Sequence, residues 1–386
     1  MAGNTGGHRD TSGNGFLSTT AAAAVARQEK RNAGLSAYEI STPSSAPSLK
    51  RYCLDDFHIV RRVGRGGFAI VFLVRMKQST GRYFALKAIR KAEVVKLKQE
   101  KQIVNEKEIL KSVKHNFIVE LFHTFQDTHY LYMVMEYIDG GDLFSYLRKV
   151  QKFGDEDSKF YAAEVLMSLQ YLHGENVIFR DLKPENILLD MTGHVKLADF
   201  GFAKVVTGTT KSFCGTPDYI AREIVLNRPY TKMVDWWSFG VLIFELVSGK
   251  TPFQSESPDG IYDNIEHCKI AWNPLIKGNC KDIIARLLDK DPEKRLGSNG
   301  DGAEIRAHAW FKTIKWAKAE VRQMQPPFLP ACEAPDVIER EREKRGQQED
   351  YAGMLKSGAG GGASATDKRP DLSWLTNGAP DPFKGF

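Results

Sequence analysis

The sequence predicts an α+β fold with two lobes, a small antiparallel β-rich lobe that contains one main helix and a larger, mainly helical lobe after it. Short stretches of alternating apolar residues, separated by glycine turns, begin at Phe57 and indicate strands. A helical period over residues 96–113 lies among them and indicates the main helix. After Gly141 most apolar residues recur at helical spacings, which predicts the second lobe.

The composition is that of a globular protein. Of the 386 residues 42% are hydrophobic, so the chain can bury a sizeable core. The net charge of +6 is modest, and no basic block with interleaved aromatic residues indicates a nucleic-acid partner. No membrane span and no secretory signal are visible, so we expect a cytosolic or nuclear protein. The five cysteines lack metal or disulfide spacing and are expected to be free thiols.

The predicted elements follow one another in order. Strands are expected at 57–60, 71–74, 83–87, 118–125 and 130–136. Within the main helix Ile103, Leu110 and Val113 share one face, and Glu106 lies inside this apolar stripe, where a carboxylate needs a partner. After a turn-rich connector, helices are expected at 159–173, 234–248 and 281–288.

Three regions are expected along the chain. Residues 1–50 are rich in Gly, Ser, Thr and Ala and are predicted to form a disordered N-terminal arm. The two-lobed domain spans 57–311, with lobes at 57–137 and 141–311, and residues 312–386 form a tail. Within the tail the charged run 339–345 is predicted to be a solvated helix, and 358–362 is predicted to be a flexible linker.

A glycine-rich segment joins the first two strands. Gly64, Gly66 and Gly67 by themselves fit an ordinary hairpin turn equally well. Because a strand follows them, where a helix follows in Rossmann and P-loop motifs, they favour a loop whose backbone N–H groups approach phosphates. The candidate nucleotide-binding residues of the segment are Gly64, Arg65, Gly66, Gly67, Phe68, Ala69 and Val71.

Four further short segments follow in a fixed order. They are Ala-Leu-Lys at 85–87, Phe-Arg-Asp-Leu-Lys-Pro-Glu-Asn at 179–186, Asp-Phe-Gly at 199–201 and Ala-Arg-Glu at 221–223. With the glycine-rich segment they resemble the signature set of the eukaryotic protein kinases, each part of which serves phosphoryl transfer. The resemblance implies a bilobal protein-kinase fold with ATP and Mg²⁺ as cofactors.

The resemblance assigns a role to each polar residue of these segments. Lys87 would hold the α- and β-phosphates and pair with Glu106, which explains the carboxylate in the apolar stripe. Asp181 would accept the proton of the substrate hydroxyl, and Lys183 would neutralise charge on the γ-phosphate. The hard oxygen ligands for Mg²⁺ would come from Asn186 and Asp199. The nucleotide pocket would also contain Ala85, Met135, Glu136 and Ile138.

Two further motifs and the C-terminal residues indicate which branch of the protein kinases the chain resembles. Residues 213–219, Phe-Cys-Gly-Thr-Pro-Asp-Tyr, and 235–240, Asp-Trp-Trp-Ser-Phe-Gly, resemble the cyclic-nucleotide-dependent branch of the AGC serine/threonine kinases. The Phe-x-x-Phe at Phe383 and Phe386 resembles the tail end of cAMP-dependent catalytic subunits, which fills a pocket on the small lobe. The nearest match to that family's Phe-Asp-Asp-Tyr segment over the nucleotide is 348–351, where the Phe is missing.

The resemblance also implies a basic peptide substrate. Four carboxylates, at Asp142, Glu185, Asp218 and Glu245, match its guanidinium-binding set, although scattered surface acids are the alternative. We therefore expect the motif Arg-Arg-x-Ser/Thr followed by an apolar residue. The candidate substrate-binding residues also include Phe213, Pro217 and Ile220.

Control is expected at two levels. Ser212 lies at the family's activation-loop phosphorylation site, near Arg180 and Lys204, with Gln102 where relatives carry a His. The roughly 75 residues after the second lobe are too few for a cyclic-nucleotide-binding domain, so the resemblance implies a separate cAMP-binding regulatory subunit with an Arg-rich pseudosubstrate. Further phosphorylation candidates in the tail are Ser373 and Thr376.

The chain departs from the family pattern at two motif positions. Phe179 replaces the usual His before Arg-Asp, where an aromatic ring suffices for the hydrophobic spine expected from Leu110, Leu121, Phe179 and Phe200. Arg222 replaces the usual Pro, and Glu223 retains a candidate partner in Arg295. Two alternatives stay open, a pseudokinase scaffold and another AGC kinase, with a cGMP-dependent-like catalytic region under unrelated control.

Overall fold

The structure, a computed structural model, describes residues 52–78, 81–346, 350–358 and 381–386. The expected disordered arm at 1–50 and the tail candidates Ser373 and Thr376 lie outside the described residues. So does most of the expected linker at 358–362. In the described part of the chain, no helix is long and apolar enough to cross a membrane.

The N-terminal lobe is built on a five-stranded antiparallel sheet with the strand order β1-β2-β3-β5-β4. Its strands are β1 (Phe57–Arg65), β2 (Ala69–Met76), β3 (Tyr83–Arg90), β4 (Leu121–Gln126) and β5 (Tyr130–Glu136). Side chains alternate between the two faces, so Phe72 and Val74 of β2 join Leu86 of β3 in a buried apolar cluster on the outer face. Val71 therefore points to the opposite, inner face.

Two helices precede β4 where the sequence predicted one. The helices are α1 (Lys91–Lys96) and α2 (Glu100–Ser112). The chain breaks between them, and Lys98 there has a left-handed φ of 54°, which a continuous right-handed helix does not accommodate. The predicted start at residue 96 is therefore wrong, while the remainder of the predicted helix coincides with α2.

The C-terminal lobe is mainly helical, as predicted. Its helices are α3 (Leu143–Val150), α4 (Asp155–Gly174), α5 (Arg222–Val225), α6 (Met233–Ser248), α7 (Pro258–Glu266), α8 (Gly278–Leu287), α9 (Asp301–Arg306) and α10 (Trp316–Glu320). Every residue of α6 is buried, so this helix forms the centre of the lobe. Single turns of 3₁₀ helix occur at Leu54–Asp56, Pro184–Asn186, Pro217–Tyr219 and Ala309–Phe311.

Four short strands beside the helices carry the loops of the site. They are β6 (Val177–Ile178), β7 (Ile187–Leu189), β8 (Val195–Leu197) and β9 (Lys204–Val205). The pairs are antiparallel, β6 with β9 and β7 with β8. Strands of two or three residues are too short to show a period, so the sequence did not reveal them.

The tail returns to the N-terminal lobe. It contributes α11 (Pro335–Lys344) and α12 (Tyr351–Lys356). The prediction of a solvated helix over 339–345 is wrong at Glu339, whose side chain is only 9% exposed because it binds Arg75 of β2. At the chain's end Phe383 is buried, and Phe386 packs against the same core cluster.

Tyr351 does not lie where the resemblance of 348–351 to a nucleotide-covering segment would put it. Its ring lies 5.3 Å from that of Phe72, on the outer face of the sheet. Val71, the expected nucleotide contact, points to the inner face. Tyr351 thus closes the back of the sheet and is not a nucleotide contact.

Candidate active site

The glycine-rich turn between β1 and β2 is open above its backbone. The N–H of Gly66 donates to the carbonyl of Ala69 at 2.8 Å, which closes the turn. None of Gly64, Gly66 and Gly67 has a left-handed φ, so the turn itself does not require glycine. A methyl group at Gly67 would meet no heavy atom within 4 Å, and at Gly64 and Gly66 the nearest would be 3.8 Å away. Because glycine has no side chain, the turn leaves room for a ligand's phosphates, as its expected role in nucleotide binding requires.

Cross-strand register places the expected nucleotide contacts side by side. Val71 pairs with Gly64 on one side and with Lys87 on the other. Ala85 pairs with Met135 of β5. The structure thus brings the expected nucleotide contacts to the inner face and to the connector after β5. The other residues predicted for this pocket lie at strand ends (Arg65 of β1, Ala69 of β2 and Glu136 of β5), in the turn (Phe68) and in the connector (Ile138).

Lys87 and Glu106 form the ion pair expected from the sequence. Lys87 Nζ lies 2.6 Å from Glu106 Oε1 and 3.9 Å from Asp199 Oδ1. Burial alone would lower the pKa of Lys87, but the two carboxylates outweigh it and raise the pKa. The lysine is therefore held as a cation at the inner end of the pocket, close to a candidate metal ligand.

The catalytic loop around Asp181 is closed by hydrogen bonds. Lys183 Nζ donates to Asp181 Oδ2 at 2.9 Å and to Thr216 Oγ1 at 2.8 Å. Thr216 Oγ1 in turn donates to Asp181 Oδ1 at 2.8 Å. Asn186 Nδ2 donates to the main-chain carbonyl of Asp181 at 2.8 Å and to its Oδ2 at 2.9 Å. These contacts fix the carboxylate and leave the side-chain oxygen of Asn186 available to a metal ion.

Asp199 presents the second candidate metal ligand. Its backbone has a left-handed φ of 59°, and its side chain is 56% exposed. A strained conformation of this kind costs free energy and is typical of functional sites. Its Oδ1 accepts a hydrogen bond from the N–H of Gly201 at 3.3 Å. The carboxylate is thus held at the opening beside Lys87, with oxygen free for a cation.

A buried aspartate binds the backbone of the catalytic loop. Asp235 accepts the N–H groups of Phe179 and Arg180, both at 2.8 Å. His173 binds the same carboxylate at 2.9 Å and bonds to Asp301 through its other nitrogen at 2.9 Å. Burial alone would lower the pKa of His173, but these two carboxylates raise it. The loop's backbone is therefore fixed by a buried charged network.

The four residues expected to form the apolar spine all belong to, or pack against, one hydrophobic core cluster. Phe179 and Phe200 are both fully buried, and their rings meet edge to face at 5.2 Å. Leu110 is buried in the same cluster, and Leu121 packs against it. An aromatic ring at 179 is therefore accommodated within the core.

Ser212 is connected to the catalytic loop through Arg180. Arg180 NH1 donates to Ser212 Oγ at 2.7 Å and to the hydroxyl of Tyr230 at 2.9 Å. Lys204, expected beside Ser212, donates instead to Thr210 at 2.8 Å. Arg180 is therefore the cation that meets the serine, and Tyr230 is a partner that the sequence did not indicate.

The predicted substrate carboxylates fall into two groups. Glu245 is buried, accepts a hydrogen bond from Tyr219 and lies 3.7 Å from Arg148 NH2. Burial, reinforced by the negative charges of Glu185 and Asp218, raises the pKa of Glu245 even though Tyr219 and Arg148 oppose this. Glu245, Glu185 and Asp218 therefore form one electrostatic cluster.

Asp142 has a local structural role. It caps the N-terminus of α3, where its Oδ1 accepts the N–H of Ser145 at 2.7 Å and its Oδ2 accepts the Ser145 hydroxyl at 2.9 Å. Helix capping thus accounts for this acid without a substrate, a role that the sequence analysis did not propose. A substrate guanidinium would have to share the carboxylate with the cap.

The three remaining candidate substrate-binding residues differ in how far they are exposed. Phe213 is 62% exposed, and its ring meets Tyr262 of α7 edge to face at 6.0 Å. Pro217 is half-buried, whereas Ile220 is 3% exposed. Phe213 and Pro217 are therefore accessible to a peptide, whereas Ile220 is buried.

The segment 221–223 is braced by a buried ion pair. Arg295 donates to both carboxylate oxygens of Glu223, at 2.7 and 3.0 Å, and its side chain is fully buried. Arg222, at the position of the family's Pro, donates through Nε to the carbonyl of Glu266 at 2.6 Å. The arginine thus caps the C-terminal end of α7, the helix that carries Tyr262.

Sequence reasoning missed three residues of this site: Thr216, Asp235 and Tyr230. The first two lie inside motifs that the sequence analysis had already quoted, 213–219 and 235–240. A small hydroxyl residue and a buried acid inside such motifs were the available signals. No local pattern marks Tyr230, whose partners lie 18 and 50 residues away.

Comparison with known proteins gives consistent matches. The protein kinase domain family matches residues 57–311. The chain is 46% identical over 281 residues to the cAMP-dependent protein kinase type 3 of Saccharomyces cerevisiae, covering 72% of this chain and 70% of that protein. It is 42% identical over 301 residues to the human cAMP-dependent protein kinase catalytic subunit PRKX, covering 75% and 84%. For the cAMP-dependent protein kinase catalytic subunit of Arthrobotrys oligospora, the values are 46% identity, 72% and 54%.

Proposed function

This chain belongs to the protein kinase family, and from that premise we propose that it is the catalytic subunit of a cAMP-regulated serine/threonine kinase. It transfers the γ-phosphate of ATP to Ser or Thr in Arg-Arg-x-Ser/Thr-apolar sequences. The observation that carries the proposal is the intact set of paired groups around Asp181 and Lys87. A pseudokinase scaffold would not need to keep all of them.

The residues present fit ATP and Mg²⁺. The open glycine turn can admit phosphates, and Lys87 offers a fixed cation beside it. Asn186 and Asp199 offer the oxygen ligands that Mg²⁺ prefers. When bound, Mg²⁺ neutralises negative charge on the phosphates.

Phosphoryl transfer follows from the placement of the catalytic loop. A substrate hydroxyl near Asp181 gives its proton to the carboxylate as its oxygen bonds to the γ-phosphorus, and the bond from that phosphorus to ADP breaks. Lys183, held against Asp181 and Thr216, brings positive charge to the same place. Asp235 fixes the loop's backbone, so that the groups need not reorganise during the reaction.

Substrate choice rests on the cluster of Glu185, Asp218 and Glu245. A guanidinium placed among these acids gains bidentate bonds that an ammonium cannot make. Its approach to Glu245 competes with Arg148, whose side chain is 56% exposed. The same surface suits the Arg-rich pseudosubstrate of a cAMP-binding regulatory subunit.

A peptide assay with two matched controls tests the catalytic proposal. The purified chain with Mg²⁺-ATP should phosphorylate an Arg-Arg-x-Ser peptide and use a Lys-Lys-x-Ser peptide poorly. Asp181→Asn should abolish transfer while magnesium-ATP still binds in calorimetry. Failure of the folded wild-type chain to bind magnesium-ATP would overturn the proposal.

A second experiment tests the proposed control. A regulatory subunit captured with this chain should dissociate when cAMP is added and leave an active kinase behind. Dissociation only on addition of cGMP, or a complex indifferent to both nucleotides, would favour the alternative of an AGC kinase under unrelated control.

A further inference from the structure

One tail carboxylate binds three neighbouring strands of the sheet. Glu339 of α11 accepts hydrogen bonds from Arg75 Nε at 2.9 and 3.0 Å and from the hydroxyl of Tyr83 at 2.5 Å. His58 Nε2 lies 3.4 Å from the same carboxylate. His58, Arg75 and Tyr83 belong to β1, β2 and β3. These four residues are called the tail clasp below.

The tail clasp and the nucleotide site lie at opposite ends of one ladder. Arg75 pairs with His58 on one side and with Tyr83 on the other. Val71 pairs in the same way with Gly64 and Lys87. Since a strand rises about 3.3 Å per residue, the two rows are roughly 13 Å apart. Any shift of β1 against β2 at the clasp therefore moves Gly64 relative to Val71.

The pairing of β1 is the weak part of this ladder. Within the described residues β1 is an edge strand, hydrogen-bonded to one neighbouring strand, β2. Its register with β2 shifts twice, between Ile59 and Arg61 and between Arg62 and Gly64. Extra residues of this kind interrupt the ladder and bend the strand. The backbone hydrogen bonds between β1 and β2 therefore restrain the glycine turn only loosely. A side-chain anchor at His58, at the far end of β1 and separated from the turn by both register shifts, adds a second restraint on the strand.

The second tail helix, α12, packs against the outer face of β2. Tyr351 of α12 packs on Phe72, and Leu355 is fully buried in the same cluster. Phe72 is the neighbour of Val71 in the strand. The tail therefore contacts β2 at both rows of the ladder, through an ion pair at one and an apolar contact at the other.

We propose that the tail clasp positions the glycine turn for nucleotide binding and that Glu339 is a positioning residue for ATP. The inference rests on the proposed ATP-dependent function. A nearly buried carboxylate that accepts hydrogen bonds from both Arg75 and Tyr83 holds its partners more firmly than an exposed ion pair does. The clasp fixes β1 across its irregular register and so keeps Gly64, Val71 and Lys87 in one row.

The test compares Glu339→Gln with Glu341→Gln. Glu341 lies on the same helix but pairs with Arg345, the residue just after the end of α11, and its side chain is 44% exposed. Removing the charge at 339 should speed hydrogen exchange of the β1 amides and raise the Kd for magnesium-ATP about five-fold, with peptide KM unchanged. The control should alter neither. Tyr83→Phe, which removes one hydroxyl, should give a smaller change in the same direction even if Glu339→Gln folds poorly.

The two readouts separate the possible failures. Unchanged exchange in β1 would overturn the clasp, whatever the nucleotide result. Faster exchange with an unchanged Kd would overturn its role in positioning ATP. If the wild-type chain binds no magnesium-ATP, the proposed function and the ATP-positioning role both fail, while the exchange result still decides whether Glu339 anchors β1.

Discussion

The guanidinium of Arg180 donates a hydrogen bond to the hydroxyl of Ser212 across 2.7 Å. Arg180 immediately precedes Asp181 and has a left-handed φ of 69°. It also donates through Nε to the carbonyl of Phe202 at 2.7 Å. One side chain thus joins the catalytic loop, the residue after Asp-Phe-Gly and the proposed phosphorylation site.

Phosphorylation of Ser212 should raise activity because a phosphate would bond to Arg180 far more strongly than the hydroxyl does. Ser212→Ala should therefore lower kcat about ten-fold relative to the phosphorylated chain. Peptide turnover with and without phosphatase treatment measures this. Thr209→Ala removes an exposed hydroxyl of the same segment and should have no effect. Unchanged turnover in Ser212→Ala would show that the serine is not the switch.

Thr216 should position both Asp181 and Lys183, because its hydroxyl is bonded to each at 2.8 Å. Thr216→Val keeps the shape and removes the hydroxyl. We expect kcat to fall about ten-fold with KM for ATP unchanged, since the lost bonds orient the reacting groups. Thr216→Ser should restore most of the rate. A rise in KM for ATP at constant kcat would contradict this role.

Arg222 should tune peptide docking and not phosphoryl transfer itself. It caps α7 through the carbonyl of Glu266, and α7 presents Tyr262 beside Phe213. Arg222→Ala should therefore raise KM for the peptide about three-fold and leave kcat unchanged. Arg222→Pro provides the comparison with the family's usual residue. If only the proline variant turned over peptide, the arginine would be a defect.

The ion pair of Glu223 and Arg295 should be important for stability. Glu223→Ala leaves a buried guanidinium with less compensation and should cost about 3 to 5 kcal/mol. Glu320→Ala breaks the more exposed pair with Arg306 and should cost less than about 1 kcal/mol. Urea unfolding of both variants measures the difference. Similar losses in the two variants would refute the argument from burial.

His173 should make stability depend on pH. Its pKa is raised above the unfolded value of 6.5, so its protonation favours the folded state. This contribution is complete below pH 6.5 and disappears as the pH rises through the folded pKa. The difference in unfolding free energy between the wild type and His173→Gln should therefore shrink with rising pH. A difference independent of pH above 6.5 would mean that the imidazole is neutral.

The carboxylate of Asp301, which belongs to the same network, titrates in a lower pH range than His173. Asp301 is partly buried, which raises its pKa, but the hydrogen bond to His173 and the contact with Lys232 outweigh this and lower its pKa to about 2. Its contribution to stability is therefore present above the unfolded pKa of 3.8 and is lost as the pH falls through about 2. The free energy of unfolding, measured between pH 2 and 4, distinguishes the contribution of Asp301 from the contribution of His173.

Contiguous motifs allowed much of the site to be predicted. Residues 179–186 are adjacent in the chain, so the loop that holds Asp181, Lys183 and Asn186 could be proposed as a unit. The apolar helical stripe indicated that Glu106 needs a partner, and the kinase resemblance implied that this partner is Lys87. The α+β fold class and the kinase family are confirmed by the match over 57–311.

Local patterns and short motifs determined the strands, the main helices and the order of the chemical groups, because these depend on neighbouring residues. Only the tertiary structure decided which distant groups meet. Asp235 reaches the N–H of Phe179 across 56 positions, and Glu339 reaches Arg75 across 264. A charged run such as 339–345 has the same sequence pattern whether its glutamates face solvent or a guanidinium. The difference arises only when another part of the fold removes water from one of them.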